Sequence, residues 1–85
     1  MAPTLADLPR LLHARVVRVR DGEDRAGERL QVLGFTPGTA VGFERRAPLG
    51  GPLVLRVRGT LVCLRPREAR LVEVEPLGLP AGEER

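Results

Sequence analysis

The stretch "AVGFERRAPLGGPLVLRVR" (40–58) decides how this chain folds. Two runs rich in Val and Leu flank a corner, Ala47 to Pro52, that holds two prolines and two glycines. Proline fixes φ and restricts the residue before it. Glycine supplies positive φ where a chain must reverse. Side by side they mark a hairpin loop of fixed shape between strands 40–46 and 52–58. If position i faces 98−i, Val41 faces Val57, Phe43 faces Leu55 and Arg45 faces Leu53. The other face then pairs Ala40 with Arg58, Gly42 with Arg56 and Glu44 with Val54. This register gathers almost all the large apolar groups on one side, whereas a slip of one residue sets Phe43 against Arg56 and splits that side. It leaves a five-residue loop, 47–51, with Leu49 held at its tip, pointing away from the core. Pro52 cannot donate to a ladder, which is tolerable at the first residue of a strand.

Downstream, "GTLVCLRP" (59–66) gives a short strand after a tight turn at Gly59, with Val62 and Leu64 inward. "REA" (67–69) is too short for more than one helical turn, and "RLVEVE" (70–75) is a last strand with Val72 and Val74 inward. Upstream, "TPGT" (36–39) places Pro37 and Gly38 where a type II turn wants them. "DGEDRAGERLQVLGF" (21–35) changes period: Ala26, Leu30 and Leu33 fall on one helical stripe. Asp21 is the expected N-cap, with the acids at 23 and 24 at the positive end of the helix dipole. Gly34 is the expected left-handed exit, and Leu30 with Phe35 is the hydrophobic pair of a Schellman motif. "ARVVRVR" (14–20) alternates Val17 and Val19 with Arg18 and Arg20, a half-buried strand. The lead-in "MAPTLADLPRLL" (1–12) tucks Leu5 and Leu8 against the core, and "PLGLPAGEER" (76–85) reads as a flexible acidic tail. The order is β-α-β-β-β-β in one domain, 1–75. A small sheet wrapping into a barrel hides its edges, with the helix, at about 22–33, covering one end.

Composition narrows the function. The chain has 85 residues and a formal net charge of +3, from 14 basic and 11 acidic residues, and every basic one is Arg. Arg in place of Lys, with many Gly, Pro, Ala and Leu, matches the usage of a GC-rich genome. Phe35 and Phe43 are the only aromatics, too few for stacking on single-stranded nucleic acid. No apolar run approaches the roughly 20 residues of a membrane span, and no secretory signal is visible. The expectation is a cytoplasmic protein. With no Ser, one His (His13) and one Cys (Cys63), a serine triad is excluded and a Cys–His dyad needs these two to meet. Cys63 reads as a small packing residue in an apolar strand, and His13 as a surface or half-buried side chain. "DGED" lacks the alternating spacing of a calcium loop, and no His/Cys ligand spacing exists. "APLGGP" is not followed by the Lys-Ser/Thr of a P-loop. No catalytic residue, metal ligand or cofactor is expected. Arg56 and Arg58 fall on the outer face of their strand with Arg46 beside them, and Arg65, Arg67 and Arg70 cluster around the last turn, a surface suited to acidic partners.

"ERLQVLGFTPGTAV", "RRAPLGGPLVLRV" and "CLRPREARLVEV" together resemble the FeoA family, ferrous iron transport protein A. Arg29, Leu30, Leu33, Gly34, Pro37, Gly38, Ala47, Pro48, Leu49, Gly50, Pro52, Leu64, Arg65, Ala69, Val72 and Val74 follow the family pattern in order. The resemblance implies a mainly β, SH3-like five-stranded barrel with one inserted helix. It also implies a non-enzymatic accessory protein of the FeoB-type membrane ferrous iron transporter, which carries a G-protein domain, recruited to the inner face of the plasma membrane. The expected contact surface is Pro48, Leu49 and Gly50, with Arg46, Arg56 and Arg58 as steering charges. Self-association is compatible with it. Two other readings stand beside it: a free-standing relative of the C-terminal SH3-like module of iron-dependent repressors, and a small RNA-binding barrel.

Overall fold

A computed structural model describes residues 3–7 and 13–78. Five antiparallel strands form one sheet: β1 (His13–Val19), β2 (Ala40–Arg46), β3 (Leu53–Val57), β4 (Thr60–Leu64) and β5 (Val72–Gly78), in the order β4-β3-β2-β1-β5. Helix α1 (Ala26–Leu33) lies between β1 and β2, the single turn α2 (Pro66–Ala69) between β4 and β5, and a 3₁₀ turn (Leu5–Asp7) leads in. The last strand runs past the expected Glu75 to Gly78. Leu8 and residues 79–85 lie outside the described residues.

The sheet curls round one core into a small barrel, but it does not close. Among the described residues β4 and β5 share no ladder. The expected hiding of both edges is therefore only half achieved. The outer edge of β5 is covered by the lead-in, where Thr4 bridges Glu73 and the Val74 N–H donates to the Pro3 carbonyl at 2.9 Å. The outer edge of β4 has no such cover among the described residues.

The β2–β3 register begins as expected: Val41 faces Val57, Gly42 faces Arg56 and Phe43 faces Leu55. A β-bulge then intervenes, and Arg45 faces Val54 while Arg46 faces Leu53, one step away from the expected pairs of Glu44 with Val54 and Arg45 with Leu53. An extra residue on one strand leaves the ladder and turns its neighbours to the other face. The apolar wall survives because the bulge falls after Phe43. Val41, Phe43, Leu53, Leu55 and Val57 are all buried, together with Ala14, Val16, Leu64, Val72 and Val74. A second bulge in β1, between Val16 and Arg18, has the same effect. Ala14 and Val16 point inward, whereas Val17, expected inside, is half exposed and Val19 only partly buried.

The helix starts later than expected. Gly22, Asp24 and Arg25 all have left-handed φ, of 67°, 55° and 59°. A helix cannot run through such residues. The backbone instead makes two turns, with Gly27 N–H donating to the Asp21 carbonyl at 2.8 Å and Ala26 N–H to that of Glu23 at 2.9 Å. Arg25, not Asp21, occupies the N-cap, and no side chain caps the helix. Gly27 is where α1 meets the end of β1: a Cβ there would lie 2.3 Å from the Arg20 carbonyl oxygen. The exit is the expected Schellman motif. Phe35 N–H donates to the Leu30 carbonyl and Gly34 N–H to that of Gln31, each at 3.0 Å. Leu30 and Phe35 are buried, while Leu33, expected on the same stripe, is half exposed. The type II turn also forms, with Thr39 N–H donating to the Thr36 carbonyl at 3.0 Å and Gly38 at φ 90°.

Candidate functional site

The β2–β3 loop stands on a narrow base. Arg46 faces Leu53, and Ala47 N–H donates to the Pro52 carbonyl at 2.8 Å. Above it Gly51 N–H donates to the Pro48 carbonyl at 3.3 Å, which closes a turn with Leu49 and Gly50 in its centre. Their φ values are 62° and 72°, the signature of a type I′ turn. The bulge adds a residue to the expected 47–51 loop, so residues 47–52 separate β2 from β3.

Leu49 is the anomaly. It is fully exposed, at 103% of its reference surface. Left-handed backbone suits glycine and asparagine, and a bulky apolar residue there is an outlier. The conformation costs roughly 1–2 kcal/mol for an L-residue. Leu49 offsets none of this by burial. The loop therefore holds a large apolar side chain in water, in a strained conformation, with no return in folding.

Of the three expected arginines only Arg46 stands at the base of this loop; Arg56 lies midway along β3, and Arg58 beyond its far end. The bulge turns Arg46 off the outer face where Arg56 lies, and brings Arg45 out in its place. The Arg46 guanidinium sits 5.7 Å from the Phe43 ring centroid and donates to the Ala6 carbonyl at 3.1 Å. It straps the lead-in turn to the base of the hairpin. Arg56 is paired with Glu44, through Nε and Nη2 to the same carboxylate oxygen at 2.9 Å. Arg58 is not on β3 but in the β3–β4 turn, at φ 52°, followed by Gly59 at 80°. Its Nη2 reaches the hydroxyls of Thr36 and Thr39 at 3.2 and 3.4 Å, and these hydroxyls are 2.8 Å apart. Arg58 thus ties the β3–β4 turn to the type II turn. Arg45 escaped the sequence reading because only the bulge makes it an outer residue.

Elsewhere the surface carries fewer signals. Cys63, expected as a packing residue, is exposed: it faces Val54 on the outer side of the β3–β4 pair. His13 is half-buried and packs against Gly42. Arg18 and Arg20 approach the Glu73 carboxylate at 3.4 and 3.8 Å. Val32, at 86% exposure, and Leu33 border a shallow cleft of about 520 Å³ beside Arg29 and Glu68. Among the described residues no three His, Cys, Asp or Glu side chains gather as metal ligands, and no helix is long and apolar enough to cross a membrane.

Known proteins share this architecture. The sequence profile of the FeoA domain matches residues 4–76. FeoA of Stenotrophomonas maltophilia, solved with zinc, is 38% identical, with a TM-score of 0.78 over 87% of this chain and 91% of that one. It is described as a prokaryotic SH3-domain protein and a candidate ferrous iron transport activating factor. Iron(II) transport protein A of Clostridium thermocellum is 35% identical (TM-score 0.80), and the match covers 88% of this chain but only 46% of that one. FeoA of Chlorobium tepidum is 31% identical (TM-score 0.80) over 95% of this chain and 76% of that one. No curated protein sequence matches. A five-stranded SH3-like sheet with an inserted helix, and a profile that spans nearly all the described residues, have one conclusion: the chain belongs to the FeoA family.

Proposed function

We propose that this chain is a non-catalytic accessory protein of ferrous iron uptake that binds the cytosolic part of a FeoB-type transporter, with Leu49 as its anchor. One observation carries the reading: Leu49 is held fully in water by a rigid turn whose backbone conformation disfavours it. A partner pocket that takes this side chain supplies the burial that folding does not. Pro48 and Gly50 fix its direction. Arg46, at the base of the loop, rests on a neutral acceptor and keeps its charge for an acidic partner surface; that of Arg56 is partly offset by Glu44, and Arg58 lies at the far end of β3 from Leu49.

The alternative within an SH3-like barrel is an aromatic groove that reads polyproline. Both Phe35 and Phe43 are buried, and the chain has no Trp or Tyr, so that groove lacks its lining. The test is calorimetric titration of the transporter's cytosolic domain with the wild-type protein and Leu49→Ser. A loss of about tenfold or more supports the anchor, by the burial of one Leu side chain. Equal affinities would remove it.

A further inference from the structure

We infer that the outer edge of β4 is a second docking site, which takes an extended peptide of a protein partner that is acidic at the end beside Arg65 and Arg67 and apolar along the strand. The surface does not include Leu49 and does not rest on the transporter reading.

The backbone makes the first part of the case. Val57 faces Thr60 across the two-residue turn Arg58-Gly59, and the β3–β4 register runs on without a shift to Leu53 facing Leu64. In an antiparallel ladder, directly opposed residues alternate between exchanging both hydrogen bonds and exchanging none. The pair that closes a two-residue hairpin exchanges both. Thr60, Val62 and Leu64 are therefore bonded to β3, and the N–H and C=O groups of Leu61 and Cys63 point away from the sheet. The same two residues expose their side chains, Leu61 at 53%. Edge strands are ordinarily guarded by charge, proline, a bulge or a covering segment. "TLVCL" (60–64) has no charge, no proline and no bulge. The opposite edge of the sheet shows what a guard looks like here, because Pro3 and Thr4 cover β5.

Charge selects the occupant. Arg65 and Arg67 follow the strand and are exposed, whereas Arg58, before Gly59, is turned away to Thr36 and Thr39. Among the described residues neither Arg65 nor Arg67 is in an ion pair, and the Glu68 carboxylate is taken by the Arg65 N–H at 2.9 Å. A second copy added antiparallel about Val62 would set its Arg58-Gly59 turn against Arg65, with no acid to meet that charge. An added strand with an acidic end beside Arg65 and Arg67, and apolar residues along Leu61 and Cys63, meets its complement there, the strand-addition mode of peptide recognition.

The probes are two blocked heptapeptides, Glu-Thr-Val-Thr-Val-Thr-Glu and its Lys-ended counterpart, titrated into isotope-labelled protein and followed by amide NMR shifts. The acidic peptide is expected to bind at least tenfold tighter, to shift the Leu61 and Cys63 amides most, and to be unaffected by Leu49→Asn. Leu61→Pro removes an outward N–H that β3 does not use, and is expected to weaken binding at least tenfold. The double variant Arg65→Glu/Arg67→Glu, which leaves the strand intact, is expected to remove the preference for the acidic peptide. Equal binding of both peptides, or shifts centred on α1 or the β2–β3 loop, would overturn the proposal. So would a dimer in sedimentation equilibrium that Leu61→Pro dissociates, since it gives the edge to a second copy.

Discussion

Replacing Leu49 by Asn separates the two consequences of its conformation. Leu49 and Gly50 are the central residues of a type I′ turn, at φ 62° and 72°. Asn-Gly is the pair this turn prefers, because Asn tolerates the left-handed region that Leu does not. The substitution removes no packing, since the side chain is fully exposed. It also keeps a Cβ, so the unfolded chain gains little of the freedom that a glycine would add. If Asn recovers about half of the roughly 1–2 kcal/mol left-handed cost, the gain is about 0.5–1 kcal/mol. For a domain of this size that raises the thermal midpoint by about 2–8 °C. Binding to the transporter's cytosolic domain moves the other way. Burial of a Leu side chain is worth about 1.5–3 kcal/mol, and each 1.4 kcal/mol or so is tenfold in affinity. The expected loss is thus about ten- to a hundredfold. With no Trp or Tyr, the melt is followed by far-ultraviolet circular dichroism and the binding by calorimetry. A lowered midpoint refutes the strain argument. A stabilised variant that binds as well as the wild type refutes the anchor.

Four further variants test the fold beneath the loop. Gly27→Ala raises helix propensity by about 1 kcal/mol, yet its Cβ would lie 2.3 Å from a backbone oxygen. A net loss of about 1–3 kcal/mol, as for overpacking, is expected in urea denaturation. Leu55→Ala, in the centre of the buried wall, costs about 2–5 kcal/mol, whereas Val32→Ser on the exposed side of α1 stays within about 0.5 kcal/mol of wild type. Arg56→Ala costs less than about 1 kcal/mol, because its pair with Glu44 is exposed and screened, and the difference shrinks in 1 M salt.

Features set by neighbouring residues were legible in the sequence. The Schellman exit needs only Leu30, Gly34 and Phe35 in order, and the turn before β2 only Pro37 and Gly38. The start of the β2–β3 register followed from the demand that Phe43 and Leu55 share a face. Features set by a choice of backbone conformation were not legible. Alternation along "ARVVRVR" and "AVGFERR" keeps its period whether or not a bulge is present, so the bulges at Val17 and Glu44 left no mark. They moved Val17 outward, and at the candidate site they exchanged Arg46 for Arg45 on the outer face. The late start of α1 was hidden for a related reason. Asp24 and Arg25 carry no compositional sign of left-handed φ, and the acid-rich segment suits a turn as well as a helix N-terminus. Gly27 looked like a weak helix residue, and only the approach of β1 explains it.

The strained positions give the strongest reason to place function at the loop. Among the described residues, four that are not glycine have positive φ: Asp24, Arg25, Leu49 and Arg58. Three of them have a local return. The Asp24 carbonyl accepts from the Arg29 guanidinium, Arg25 sets the direction of α1 at its N-cap, and Arg58 joins two turns through the Thr36 and Thr39 hydroxyls. All three are also charged and at home in water. Leu49 alone is apolar, makes no compensating bond and buries nothing. A Gly or Asn at that position would close the same hairpin at lower cost. The folded monomer gives no return for Leu at that position, and that return is what the proposed partner pocket supplies.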